Sequence, residues 1–193
     1  MKAKLMIAAL VLPVLFLTGC AYIDQNLRVT PQVSIAQENI GQGKKVALRV
    51  VDDRDEQLIG KRGLQYFPGG KISTDQDLVE VIRDAFIKGL HDKGFELVGE
   101  NESNLLVKAE LRSLAYTTVM GLWTGGNVGT AVVKVIANQP SGKTYERTYR
   151  SQKQIRSFFV GSQETNTKVV NQALTDALNK VFEDKELLKF LAQ

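Results

Sequence analysis

The sequence predicts an α+β fold: one mixed, mainly antiparallel sheet with two long helices packed on one face and a short C-terminal helix. Three patterns carry this expectation. Period-two alternation of apolar residues recurs in two successive segments in the middle of the chain, and a turn leads into a third. Two segments, one before that run and one after it, place apolar residues at helical spacing. A strand–helix–strand order opens the domain, which suits a crossover between parallel strands.

Before the domain stands a leader. Lys2 and Lys4 give a basic start, and residues 5–17 form an apolar run. That run is too short for a hydrocarbon core of about 30 Å, which needs about 20 helical residues. Length and flanks read as a signal peptide over residues 1–19. Leu17-Thr18-Gly19-Cys20 resembles the bacterial lipobox, in which small residues precede a cysteine that is lipidated and becomes the new N-terminus. Cys20 is therefore the expected lipidation site, with several acyl chains making attachment effectively permanent. Residue 21 is Ala rather than Asp, which by resemblance to the enterobacterial sorting rule favours the outer membrane, with the domain facing the periplasm.

Residues 20–26 read as a lipidated N-terminus and short linker, and residues 27–193 as a single domain with its own core. Leu27, Val29, Val33 and Ile35 alternate with polar residues, predicting a half-buried strand, and Pro31 places it at a sheet edge. Residues 46–51 suit a central strand ending in the acidic turn Asp52-Asp53-Arg54-Asp55-Glu56. Residues 58–67 hold a second short strand, which Pro68-Gly69-Gly70 breaks.

The first helix is capped by Ser73 or Thr74, with Asp75 and Asp77 in its first turn. Leu78, Ile82, Ala85, Phe86, Gly89 and Leu90 share its apolar face, and Gly94 ends it. A short strand follows over 95–98. Leu105, Val107, Ala109 and Leu111 mark the first strand of a meander, and Ala131, Val133, Val135 and Ala137 mark the second. Pro140-Ser141-Gly142 turns into a third over 143–156. The closing helix spans about 165–182 with a stripe of Val170, Leu174, Ala177, Leu178 and Val181, and a terminal helix covers about 186–191.

A lipobox, a strand ending in Val50-Val51-Asp52-Asp53-Arg54, a helix, a β-meander and a C-terminal amphipathic helix together resemble the YajG-like lipoproteins of the Gram-negative envelope. The resemblance covers nearly the whole chain and rests on layout and a short strand motif. It implies outer-membrane anchoring and no known enzymatic activity, and it supplies no catalytic residues.

Composition narrows the function classes. A formal charge of +4, falling to about +2 once Lys2 and Lys4 leave, is too mild for a nucleic-acid binder. A single cysteine leaves no internal disulfide and no cysteine-based metal site, and His91 is the only histidine. The acidic turn lacks EF-hand spacing and carries Arg54 at its centre, so it reads as a solvated turn. No metal or other cofactor is expected.

Two segments are candidates for partner contact. The stretch 120–129 is Gly-rich, reads as a connection between strands, and holds Leu122 and the only tryptophan, Trp123. Exposed, these would mark a partner site; folded back, they would cover the sheet edge. Residues 143–156 carry Lys143, Arg147, Arg150, Lys153 and Arg156 against Glu146, with Tyr145 and Tyr149 on the face of Arg147. That pattern suits an anionic envelope partner, protein or peptidoglycan, or an edge strand kept soluble by charge. The candidate site is thus Leu122, Trp123, Arg147, Tyr149 and Arg150 of a non-enzymatic binding module. A periplasmic hydrolase or lipid-modifying enzyme is the alternative, and self-association through the basic strand a further expectation.

Overall fold

The computed structural model describes residues 22–64, 67–103, 105–120, 125–157 and 161–193. The chain runs β1 (Gln25–Asn26), β2 (Lys45–Asp52), β3 (Gly60–Leu64), β4 (Phe67–Ser73), α1 (Leu78–Asp92), β5 (Glu96–Val98), β6 (Leu106–Met120), β7 (Gly125–Asn138), β8 (Thr144–Ser157), α2 (Gln163–Glu183) and α3 (Lys185–Ala192). The fold is α+β with one mixed sheet, as the sequence predicts, and the sheet is curled.

Strand β6 is the spine of that sheet. Along one side it pairs antiparallel with β7, which pairs antiparallel with the edge strand β8. Its other side forks. Residues 106–111 take β2 in parallel, and Tyr116 takes Gly60 of β3. Beyond β2 lies β5, also parallel, and beyond β3 lie β4 and β1. A bulge between Leu111 and Ser113 shifts the phase of β6, so that the buried set passes from Leu105, Val107, Ala109 and Leu111 to Leu114 and Tyr116.

Helix α1 buries Leu78, Ile82, Ala85, Phe86, Gly89 and Leu90, the face read from the sequence. Its cap is Asp77, whose side chain accepts from the Val79 amide at 2.9 Å, rather than Ser73 or Thr74. Ser73 ends β4, five residues before the first helical residue Leu78, and the Thr74 hydroxyl instead accepts from the Gln76 amide at 3.3 Å. Gly94 follows the helix at φ +81°, the left-handed turn that glycine favours. Helix α2 starts at the Ser162 cap and buries Val170, Leu174, Ala177, Leu178 and Val181 together with Val169, Ala173 and Phe182. It lies against β7 and β8, whereas α1 lies against β2 and β5. The two helices meet where Phe86 sets its ring edge-on to Phe182, with centroids 5.2 Å apart.

Three expectations are corrected. Pro68-Gly69-Gly70 does not break a strand but lies within β4. Gly70 belongs there because the backbone of Ile23 passes directly over it, leaving no room for a Cβ. Residues 125–129 are not a loose connection; they are the first part of β7.

The third correction concerns residues 27–35, which are extended but join no sheet. Leu27, Val29 and Val33 are buried as predicted. The amides of Thr30, Gln32 and Ser34 instead donate to side chains of α2: to Asn171 Oδ1 at 2.7 Å, Thr175 Oγ1 at 2.9 Å and Asn179 Oδ1 at 3.2 Å. The Asn171 amide donates back to the Arg28 carbonyl at 2.9 Å. Helix side chains thus satisfy a segment that a neighbouring strand would otherwise pair. Pro31 sits in this segment without leaving an amide unpaired.

Candidate functional site

Alternation along β8 decides what its residues can do. The odd-numbered Tyr145, Arg147 and Tyr149 face the junction of α2 and α3, and the even-numbered residues face away. At that junction Asp184 ends α2 and caps α3, its Oδ1 accepting from the Glu186 amide at 3.0 Å and the Leu187 amide at 3.3 Å. Its Oδ2 accepts from the Tyr145 hydroxyl at 2.7 Å, the Tyr149 hydroxyl at 2.6 Å and Arg147 Nη1 at 2.7 Å. Arg147 also pairs with Glu186 and lies over the Tyr145 ring.

Burial raises the carboxyl pKa of Asp184, but hydrogen bonds from Tyr149, Tyr145 and the two α3 amides outweigh it and hold the group below its usual range. Burial and the bond to Asp184 push the Tyr145 hydroxyl up to about 12 and move Tyr149 further in the same direction. This node is a clamp between the edge strand and the helix elbow.

The expected surface of Arg147, Tyr149 and Arg150 is therefore split. Tyr149 is buried at 6% exposure with its hydroxyl occupied, so it cannot meet a partner. Arg147 is engaged by Asp184 and Glu186. Arg150 projects from the opposite side of β8 and is exposed. Among the described residues neither Arg150 nor Arg156 has an ion-pair partner, while Lys153 pairs with Asp176 at 3.1 Å and Glu146 with Lys134 at 2.7 Å. Leu122, Trp123 and Cys20 lie outside the described residues.

The backbone at this edge is also available. The Gln139 amide donates to the Lys143 carbonyl at 2.9 Å, which starts the β7–β8 ladder on odd-numbered residues of β8. With continuous register, the even-numbered residues 144 to 156 then turn their amides and carbonyls to the open side. The Arg150 carbonyl agrees, since it accepts from Lys180 Nζ at 3.0 Å.

Elsewhere the acidic turn is taken up by guanidinium groups. Arg54 binds both oxygens of Asp52 at 2.8 Å, and Asp53 pairs with Arg112. His91 is exposed in the last turn of α1. A buried polar node missed by sequence reasoning ties the N-terminus to the body. Arg62 donates to the carbonyls of Ile23 and Gly161, each at 3.3 Å, and the side chains of Gln25 and Asn166 meet at 2.7 Å. Beside them Asn127 Oδ1 accepts from the Tyr116 hydroxyl at 2.6 Å and the Gly161 amide at 3.2 Å. Isolated polar residues on apolar strands gave no signal of this convergence.

The fold as a whole is similar to that of other solved bacterial proteins. A protein from Xanthomonas campestris of the DUF330 family is similar over 82% of this chain and 90% of its own, with a TM-score of 0.52 and 13% identity. A Helicobacter pylori protein described as a homolog of neuraminyllactose-binding hemagglutinin covers 86% of this chain and 98% of its own, with a TM-score of 0.53 and 10% identity. At these identities the likeness is one of fold. The chain belongs to the Lipoprotein_16 family, uncharacterized lipoproteins, whose model matches residues 31–192. It is 23% identical over 181 residues to the uncharacterized lipoprotein YajG of Escherichia coli K12, covering 92% of this chain and 91% of that one. These descriptions name no enzymatic activity. Among the described residues, no helix is long and apolar enough to cross a membrane.

Proposed function

We propose that the protein is an outer-membrane lipoprotein, anchored through Cys20, whose periplasmic domain is a non-enzymatic binding module for another envelope component. The observation that carries this reading is the β8 edge, where Arg150 and Arg156 have no ion-pair partner among the described residues and stand beside a row of outward-facing backbone groups. Such an edge recognises an extended segment by adding it as a further strand, with the arginines selecting acidic side chains. An acidic protein segment fits both features. A glycan chain would use only the charge.

Lys180 occupies the Arg150 carbonyl at the centre of this edge. An exposed lysine contact of this kind is weak, and an incoming strand displaces it at small cost. Pairing of two β8 edges from separate copies would bring Arg150 and Arg156 of both together, and like charges directly opposite are unfavourable.

A photo-crosslinking residue at Gln152 of the full-length lipoprotein in cells tests the reading. The expected result is a protein adduct that disappears in Arg150→Glu/Arg156→Glu while the melting temperature is unchanged. Adducts to peptidoglycan would replace the protein partner with a glycan. An adduct to a second copy would make the edge a dimer contact. No adduct, or one indifferent to both substitutions, refutes the site.

A further inference from the structure

The large apolar side chains exposed among the described residues include Tyr22 at 64%, Ile23 at 60% and Val119 at 40%. The fold brings these three to one end. The Ile23 carbonyl accepts from Arg62 of β3, and Arg62 reaches the Gly161 carbonyl. The Gly161 amide donates to Asn127, which faces Thr118 across the β6–β7 pair, one residue from Val119.

The same end carries cations set against each other. Lys61 and Lys71 are directly opposite in the β3–β4 pair, both exposed, and among the described residues neither has an ion-pair partner. Two like charges in that position are destabilising unless an anion lies between them. Arg156 joins them, facing Gly126 next to Val119 in the register. Asp24 lies beside them, its Oδ1 accepting from the Lys71 amide at 2.6 Å.

The chain upstream of Tyr22 says what covers this end. Cys20 stands two residues before Tyr22, so at most about 7 Å of extended chain separates them. We infer that this pole of the domain sits on the phospholipid surface itself, with Tyr22, Ile23 and Val119 at headgroup depth and Lys61 and Lys71 on anionic headgroups. The inference rests on lipidation of Cys20 and goes beyond it: the domain is held in one orientation instead of swinging from its anchor. Tyrosine at the interface and lysines over anionic lipid are the usual means of such seating.

The test uses the full-length lipidated protein in phosphatidylethanolamine vesicles with and without phosphatidylglycerol. A fluorophore is placed by Val119→Cys or, in the β7–β8 turn at the other end of the sheet, by Ser141→Cys, and is quenched by nitroxide-labelled lipid. Flotation with the vesicles reports the anchor separately. The expected result is quenching at 119 several-fold greater than at 141, falling toward the level at 141 when phosphatidylglycerol is omitted or when Lys61→Gln/Lys71→Gln is introduced. Equal quenching at both positions in protein that floats overturns the seating while leaving the anchor intact. Protein that does not float overturns the anchor and the seating with it.

Discussion

The Tyr149 hydroxyl donates to Asp184 Oδ2 at 2.6 Å, joining the edge strand of the sheet to the elbow between the two C-terminal helices. Both residues are largely buried, so the bond is shielded from water. Asp184 ends one helix and begins the next, and its position therefore fixes the angle at which α3 leaves α2.

Removing either end of this bond should be costly to different degrees. Asp184→Ala deletes a helix cap, leaves two tyrosine hydroxyls without their acceptor and leaves Arg147 with Glu186 alone, for an expected loss of about 2–4 kcal/mol. Tyr149→Phe removes one donor of several, for about 1–2 kcal/mol. Denaturant unfolding of both variants measures the difference, and equal losses would contradict the hub role given to Asp184.

The same node sets the pH response on both sides. Asp184 is depressed in the fold, so its contribution is present above the unfolded carboxylate pKa and is lost as pH falls through the lower, folded value. Tyr145 is raised to about 12, so its contribution is whole below the unfolded value near pH 10 and declines as pH rises from there to about 12. Tyr145→Phe should flatten that alkaline decline, read as melting temperature against pH.

Arg147 and Arg150 should separate cleanly. Arg147→Glu places a third carboxylate against Asp184 and Glu186 and lowers the melting temperature. Arg150→Glu changes an exposed side chain without an ion-pair partner among the described residues, and stability should stay within about 0.5 kcal/mol. Thermal unfolding of the two single variants decides this, and a loss at Arg150 equal to that at Arg147 would defeat the division of β8 into two sides.

The side-chain ladder on α2 predicts a local signature. Asn171→Ala, Thr175→Ala or Asn179→Ala each removes one acceptor from an extended segment and should cost about 1 kcal/mol. Hydrogen exchange should accelerate at Thr30, Gln32 or Ser34 respectively. Uniform acceleration across the whole domain would instead mean that the helix itself had loosened.

Gly89 lies within α1 against the ring of Phe182, where an added methyl overlaps the ring edge. Alanine gains about 1 kcal/mol of helix propensity, yet overpacking costs about 1–3 kcal/mol, so Gly89→Ala should be net destabilising. Adding Phe182→Leu should recover part of the loss. A stable Gly89→Ala protein would show that the Phe182 ring yields.

Helix faces were readable from the chain because a 3.6-residue period survives in any surroundings. The buried set of α1 matched residue for residue, with Asp92 as an addition. Period-two alternation was less decisive at residues 27–35. It reports an extended chain with one side buried and is silent on whether a strand or a helix supplies the hydrogen bonds. Pro68-Gly69-Gly70 read as a break because local propensity cannot register that the Ile23 backbone lies over Gly70. The bulge after Leu111 was likewise hidden, and with it the length of β6.

The candidate site suffered from the same blindness. Charge clustering put Arg147, Tyr149 and Arg150 together, but adjacent strand residues point to opposite sides, and Asp184 lies 35 residues from Tyr149 in the chain. Nothing local announces such an acceptor.

The three rungs between residues 30–34 and α2 behave as a vernier. Each step advances about 6.0 Å along the helix but about 6.6–6.8 Å along the extended chain. The two scales drift apart, and the rungs lengthen in order, 2.7, 2.9 and 3.2 Å. A fourth would set Ala36 against Glu183, the last residue of α2, so the end of the helix and the drifting pitch together hold the ladder to three rungs.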